Sequence, residues 1–151
     1  MSIMDVIQTN RLIFPPDPSE ASKAIFYLAD ELKSFNTMIS LTNSPFNLLH
    51  FRLALDEAVL NALEHGCKGG QKEDIEIFTR FSPTLIEISV EDPGNGFHYD
   101  LRKIESPRDF EKMLNRGLNK AKGWGLAIIQ SVTQGLSWNA RGNRITMTFQ
   151  R

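Results

Sequence analysis

One stretch of this sequence, residues 44–66, predicts a long helix that is apolar around most of its circumference. It starts at a Ser-Pro pair, where serine can cap a helix and proline suits the first helical position. Such a helix has to be buried under a second layer of structure. Glu57, Asn61 and His65 nevertheless recur along it every four residues, so these polar residues share one side of the helix.

The rest of the chain predicts the elements that could bury this helix. In chain order they are a strand within 5–14, a helix from 19 onward, strands over 75–81 and 85–91, a helix over 124–133 and a final strand over 144–150. This order predicts an α+β fold, a two-layer α/β sandwich with a mixed, mostly antiparallel sheet and helices on one face. A doubly wound sheet would need more regular alternation of strands and helices.

Length, charge and composition narrow the class of protein. The 151 residues suit a single domain over 1–151, and a formal net charge of −1 argues against a nucleic-acid-binding or membrane-surface protein. No segment approaches the roughly 20 apolar residues of a membrane span, and the first residues do not resemble a leader peptide. The lone Cys67 is typical of a reducing compartment. We therefore expect a cytoplasmic protein in which Cys67 is an incidental small side chain.

The polar side of the long helix can be interpreted in two ways. The amide oxygen of Asn61 suits Mg²⁺, which takes few protein ligands and keeps water and phosphate oxygens. The carboxylate of Glu57 could orient a water or accept a hydroxyl proton during phosphoryl transfer. Alternatively, the three side chains simply form the solvated face of an amphipathic helix. His65, at the helix end, is interpreted as a structural residue.

A first glycine turn, Asp92-Pro-Gly-Asn-Gly96, directly follows an apolar strand. Gly94 and Gly96 allow positive φ and the close approach of a ligand to the backbone. Asp92, at the end of a buried strand, can accept a hydrogen bond from an amino group such as that of adenine. The alternative is a plain turn, since all of these residue types favour turns.

A second pair of glycines, Gly123 and Gly125, opens the helix predicted over 124–133. A helix N-terminus offers free N–H groups and a positive dipole end to phosphates. Lys120 and Lys122 add positive charge there. The alternative is an ordinary loop-to-helix junction, because the segment lacks the third glycine of a dinucleotide fingerprint and the GK[ST] of a P-loop.

Together and in this order, the motifs resemble the nucleotide site of the GHKL (histidine kinase-like) ATPase superfamily. The matching segments are an N-box (Glu57-x-x-x-Asn61-x-x-x-His65), a D-x-G-x-G box (Asp92, Gly94, Gly96) and a G-x-G-L box (Gly123, Gly125, Leu126). Segment 56–66 is most similar to the anti-sigma factor serine/threonine-protein kinases, and the resemblance covers nearly the entire chain. It implies a Bergerat-type ATP-binding fold with ATP and Mg²⁺ as cofactors.

The resemblance also implies roles for individual residues. Glu57 would be the general base and Asn61 the Mg²⁺ ligand, while Asp92 would hold the adenine amino group. The other implied positions are Gly94 and Gly96 in the pocket wall, Lys122, Gly123, Gly125 and Leu126 at the phosphates, and an ATP lid over 98–122. Two features depart from the family: the lid is rich in lysine, and Gly142-Asn143-Arg144 stands where the family often has Gly-Thr supporting adenine recognition.

The activity implied by the resemblance is that of a transferase, a kinase that phosphorylates a serine on a small anti-anti-sigma (antagonist) protein. Such a kinase would hold a sigma factor or another regulator once the antagonist is modified, and would thereby regulate transcription, with a homodimer as one possible assembly. One alternative is a nucleotide-dependent regulatory binding module without kinase activity, and another is a plain ATPase. Glu57 favours the kinase, because ATP binding alone does not require a base there.

Overall fold

The computed structural model describes residues 5–39, 48–66, 73–94 and 120–151. The elements are β1 (Gln8–Phe14), α1 (Pro18–Met38), α2 (Leu48–Asn61) followed by a π-helical turn (Ala62–Gly66), β2 (Ile75–Phe81), β3 (Leu85–Glu91), α3 (Lys120–Val132), β4 (Gly135–Trp138) and β5 (Arg144–Gln150). Several predicted features lie outside the described residues, namely the helix start at 44–45, Cys67, Gly96 and positions 98–119 of the ATP lid.

The five strands form one sheet in the order β1-β2-β3-β5-β4. Each pairing between neighbouring strands is antiparallel. Strands β3 and β5 pair along their full length, from Leu85 opposite Gln150 to Glu91 opposite Arg144. The predicted α+β fold is confirmed, and within the described residues the sheet contains no parallel pair, although a mixed sheet was expected.

Helix α1 starts just before its predicted position because Asp17 caps it. Oδ2 of Asp17 accepts a hydrogen bond from the backbone N of Glu20 at 3.4 Å, and proline occupies the first helical turn. The apolar residues spaced by three and four positions are all buried: Ala21, Ala24, Ile25, Leu28, Leu32 and Phe35. They form the side of α1 that faces the core.

Helix α2 is buried along most of its length, as its composition predicts. Its buried residues are Phe51, Ala54, Leu55, Ala58 and Val59. The prediction of one regular helix up to Gly66 is wrong at the end, because α-helical hydrogen bonding stops at Asn61 and a π-helical turn follows. A π turn changes the angular spacing of residues, so His65 lies beyond the regular helix that carries Glu57 and Asn61.

Strand β4 was not predicted from the sequence. It has four residues, Gly135–Trp138, too few to show a clear period of two. It forms because it pairs with β5, where Trp138 lies opposite Ile145. Pairing with β5 therefore determines that this segment is a strand, because its own residue pattern is too short to do so.

An aromatic cluster joins both helical and strand layers in the core. The ring centroid of Phe81, at the end of β2, lies 5.9 Å from that of Phe35 in α1 and 5.9 Å from that of Phe51 in α2. The ring of Phe51 lies 6.5 Å from that of Phe149 in β5. Tilted and edge-on pairs of aromatic rings at such distances add stabilisation beyond that of the apolar area they bury.

The opposite face of the sheet carries polar side chains. Nε of Arg11 donates a hydrogen bond to Oε1 of Glu76 on the neighbouring strand at 2.7 Å, in an exposed ion pair. The helices thus cover the other face of the sheet, as expected for a two-layer sandwich. Across the described ranges, no helix combines the length and the apolar character that crossing a membrane requires.

We expect Phe81→Ala to lower the free energy of unfolding by about 3–5 kcal/mol, because it leaves a cavity among three packed rings. The control is Phe26→Ala, which removes a ring that is 59% exposed and lies 5.9 Å from the guanidinium carbon of Arg52. Its cost should stay below about 1 kcal/mol. Urea denaturation measures both variants, and equal losses would contradict the packing described here.

Candidate functional site

Helix α3 approaches α2 at Gly125, directly over two polar side chains of α2. A Cβ atom added at Gly125 would lie 2.7 Å from Oε2 of Glu57 and 3.6 Å from Oδ1 of Asn61. The first distance is too short for a normal contact between carbon and oxygen, so glycine is the residue that leaves room for this carboxylate. The structure thus brings Gly125 to Glu57 and Asn61, which lie far earlier in the chain.

The glycine pair lies inside α3, which begins at Lys120. The prediction that these glycines open a helix over 124–133 is therefore wrong by about one turn at its start. Glycine within a helix costs about 1 kcal/mol relative to alanine, but a side chain at position 125 would require the carboxylate of Glu57 to move.

The carboxylate of Glu57 occupies a partly desolvated and negatively charged position. Burial raises its pKa above the ordinary glutamate value, and the charges of Asp56 and Glu64 raise it further. Burial also raises the pKa of Asp56, against the opposing effect of Arg52, whose Nε lies 3.9 Å from Oδ2 of Asp56. A carboxylate in such surroundings is suited to accept a proton.

A concave pocket, partly open to solvent, adjoins this contact. Its walls combine apolar side chains with polar groups. The lining residues are Ala58, Asn61, Ala62, Val90, Asp92, Leu126, Trp138, Gly142, Asn143 and Ile145. Small-molecule sites are typically concavities in which apolar residues surround a few convergent polar groups. The pocket therefore suits a flat heteroaromatic group that makes a small number of hydrogen bonds.

Asp92 follows β3 and is held in the pocket wall through its backbone. Its N donates a hydrogen bond to the carbonyl O of Asn143 at 2.9 Å, and its own carbonyl O accepts one from Nδ2 of Asn143 at 2.7 Å. Oδ1 of its carboxylate accepts a hydrogen bond from the backbone N of Gly94 at 2.8 Å. Asp92 therefore takes part in a turn and also lines the pocket. A plain turn and a ligand contact are thus compatible interpretations of this segment.

The electrostatics of Asp92 favour a ligand that donates hydrogen bonds. Burial raises the pKa of this carboxyl group, while the N–H of Gly94 opposes that rise. The negative charge of Glu91 raises the pKa further, and Arg141 lowers it. An amino group placed against the carboxylate would replace part of the lost hydration.

The positions predicted to bind cofactors are placed as follows. Asn61, Asp92 and Leu126 line the pocket, Gly94 bonds to Asp92, Gly125 contacts Glu57, and Lys122 and Gly123 lie in α3. Gly96 and positions 98–119 of the predicted lid lie outside the described ranges. The N-box and the G-x-G-L box therefore meet at one site. The described part of the D-x-G-x-G box borders the same pocket through Asp92.

Trp138 and Asn143 line the pocket, although the sequence did not predict a ligand contact for either residue. Trp138 belongs to the short strand β4, and Asn143 stood out only as a departure from Gly-Thr. The segment Asn139-Ala-Arg-Gly-Asn143 is nevertheless rich in residues that favour turns. That signal predicts a hairpin between a strand ending at Trp138 and β5, and it could have found both residues.

Comparison with known proteins adds one match. Residues 14–149 match the family of the histidine kinase-like ATPase domain. The match runs from the last residue of β1 into the end of β5, so it includes every candidate site residue. No curated protein matched the chain.

Gly125→Ala should be energetically coupled to Glu57. In a Glu57→Ala background the added methyl group meets no carboxylate, so it should raise the free energy of unfolding by about 1 kcal/mol, the helical preference of alanine over glycine. In the wild-type background Glu57 has to rotate away, which offsets that gain. Urea denaturation of the wild type, both single variants and the double variant measures the coupling. An equal effect of Gly125→Ala in both backgrounds would contradict the close contact.

Proposed function

This chain belongs to the family of histidine kinase-like ATPase domains, and on that premise we propose that it is an ATP-binding serine/threonine-protein kinase of the anti-sigma factor type. Its substrate is a serine on a small antagonist protein, and its regulatory partner is a sigma factor or another regulator. The main support is the contact of Gly125 with Glu57 and Asn61, beside a pocket lined by Asp92.

The pocket supports the binding of an adenine ring. Its apolar walls, such as Ala58, Val90 and Ile145, suit the faces of a flat aromatic base. The carboxylate of Asp92 can accept a hydrogen bond from the exocyclic amino group of adenine. Guanine carries a carbonyl oxygen at the corresponding position, which a carboxylate repels, so this arrangement favours ATP over GTP.

The opposite end of the site suits the triphosphate and Mg²⁺. Asn61 offers an amide oxygen, and Mg²⁺ typically takes one or two protein ligands together with waters and phosphate oxygens. The missing side chain at Gly125 leaves space at this oxygen and at Glu57. In this proposal Lys122 and Gly123, near the start of the described part of α3, lie at the phosphates. When bound, Mg²⁺ neutralises charge that develops on the phosphate oxygens.

Glu57 acts as the general base in this proposal. As the serine oxygen attacks the γ-phosphorus, the serine proton passes to the Glu57 carboxylate. The bond from the γ-phosphorus to the β,γ-bridging oxygen breaks, and ADP leaves with that oxygen. Burial and the charges of Asp56 and Glu64 raise the pKa of Glu57, which makes its carboxylate a stronger proton acceptor.

Glu57→Gln should leave ATP binding unchanged and lower phosphoryl transfer by at least about 100-fold, the usual contribution of a general base. Glutamine keeps the size of the side chain beside Gly125 but does not accept the proton. The assay follows labelled γ-phosphate from ATP to a candidate small antagonist protein. Unchanged transfer would refute the assigned role of Glu57. A wild-type protein that binds ATP but transfers none would instead favour the regulatory binding module.

The pH dependence of the same transfer reaction gives a second measurement. Glu57 accepts a proton only when ionised, and its pKa lies above the ordinary value of 4.5 because of burial, Asp56 and Glu64. The rate is therefore full above this raised pKa and falls as the pH drops through it. Asp56→Asn removes one neighbouring charge and should move the acidic midpoint to lower pH. A midpoint that does not move would contradict this assignment.

Asp92→Asn should weaken ATP binding by about tenfold to 100-fold, the range expected for a hydrogen bond to a charged group. The amide keeps an oxygen for the N–H of Gly94, so the turn is retained. Calorimetry with ATP measures the effect, and Mg²⁺-tripolyphosphate, which lacks the base, serves as the control ligand. A normal dissociation constant for ATP would rule out the contact with adenine.

A further inference from the structure

The side chain of Asn139 adds three hydrogen bonds to the backbone bonds of the turn between β4 and β5. Oδ1 of Asn139 accepts hydrogen bonds from the backbone N of Gly142 at 2.9 Å, of Asn143 at 3.1 Å and of Arg144 at 3.1 Å. Gly142 has a φ of 80°, in the left-handed region that favours glycine. Asn139 thus fixes the backbone of 142–144, although it is exposed and does not itself line the pocket.

These bonds determine the orientation of two amide groups. Because three N–H groups point at it, the atom of Asn139 over the turn has to be the oxygen. Nδ2 of Asn139 then donates to Oδ1 of Asn143 at 2.9 Å. This contact directs Nδ2 of Asn143 to the carbonyl O of Asp92, 2.7 Å away. The backbone N of Asp92 closes the link by donating to the carbonyl O of Asn143 at 2.9 Å.

We infer that Asn139 and Asn143 form an amide relay that positions Asp92 for the base of the bound nucleotide. Asn143 is only 7% exposed, so the groups of the relay would stay unpaired and desolvated if it broke. Both residues are positioning residues, since they hold the backbone on either side of the Asp92 carboxylate. The expected effect on affinity rests on the proposed ATP binding. The hydrogen-bond geometry of the relay does not depend on it.

The relay requires an amide at position 143. An amide carries its donor and its acceptor on separate atoms. Asn143 can therefore bridge Asn139 on one side and Asp92 on the other. A hydroxyl carries both functions on a single atom closer to the backbone, which suits one partner better than two.

The first test compares Asn139→Ala with Ser137→Ala, a control at an exposed position of β4. Because Asn139 does not line the pocket, any effect on affinity has to be indirect, either through Asn143 and Asp92 or through the turn that carries Gly142. Asn139→Ala should weaken ATP binding by about threefold to tenfold, the effect of one or two net hydrogen bonds. Binding of Mg²⁺-tripolyphosphate should not change, because the relay acts on the base. Ser137→Ala should alter neither affinity.

A second variant, Asn139→Asp, separates positioning from simple stability of the turn. Its carboxylate still accepts the three backbone N–H groups, so the melting temperature should stay near that of the wild type. It has no donor for Oδ1 of Asn143, and it competes with Asp92 for Nδ2 of Asn143. ATP affinity should therefore fall although the fold is stable. If ATP affinity follows the melting temperature alone across the two variants, the relay is merely structural and the inference is overturned.

Hydrogen exchange without nucleotide tests the relay independently of ATP binding. The amide of Asp92 should exchange faster in Asn139→Ala and Asn139→Asp than in the wild type or in Ser137→Ala, because its acceptor on Asn143 is less firmly held. Unchanged exchange in both Asn139 variants would overturn the inference. A wild-type protein that binds no ATP, yet shows the expected exchange, would refute the proposed function and leave the relay intact.

Discussion

Burial of helix α2 is the constraint on which the rest of the structure depends. The helix contacts α1, α3 and the central strands β3 and β5, and apolar residues fill those contacts. The carboxylate of Glu57 and the amide of Asn61 fit on this buried helix because Gly125, opposite them in α3, leaves space. The raised pKa of Glu57 is a direct result, since the packing that buries α2 also removes water from this side chain.

The two ends of the candidate site are held by different physical means. The positions of Glu57 and Asn61 depend on how closely α2 and α3 pack. A single methyl group added at Gly125 would alter that packing. Asp92 depends on hydrogen bonds from the turn that precedes β5. The two ends can therefore be altered separately, because no hydrogen bond among the described residues connects Asp92 to Glu57.

Local patterns predicted the elements that have strong patterns of their own. Apolar residues recur with a helical or strand period within each of the segments α1, α2, β2, β3 and β5. The α+β fold could therefore be expected from the sequence. The helical conformation of residues 120–123 was missed because glycine disfavours a helix, whereas packing against α2 holds Gly123 and Gly125 in one. Strand β4 and the link from Asn139 to Asp92 were missed because they depend on the order of strands in the sheet, which consecutive residues do not reveal.

The two edges of the sheet differ in how readily they could pair with another molecule. Within the described residues, β4 offers four residues at one edge and β1 offers seven at the other. A long exposed edge strand is a template for aggregation, and charged side chains on it counter that tendency. Arg11 provides such a charge in the middle of β1, where its ion pair with Glu76 leaves it largely exposed. An exposed ion pair of this kind adds little to folding stability, whereas a charge on an edge strand disfavours pairing with a second edge.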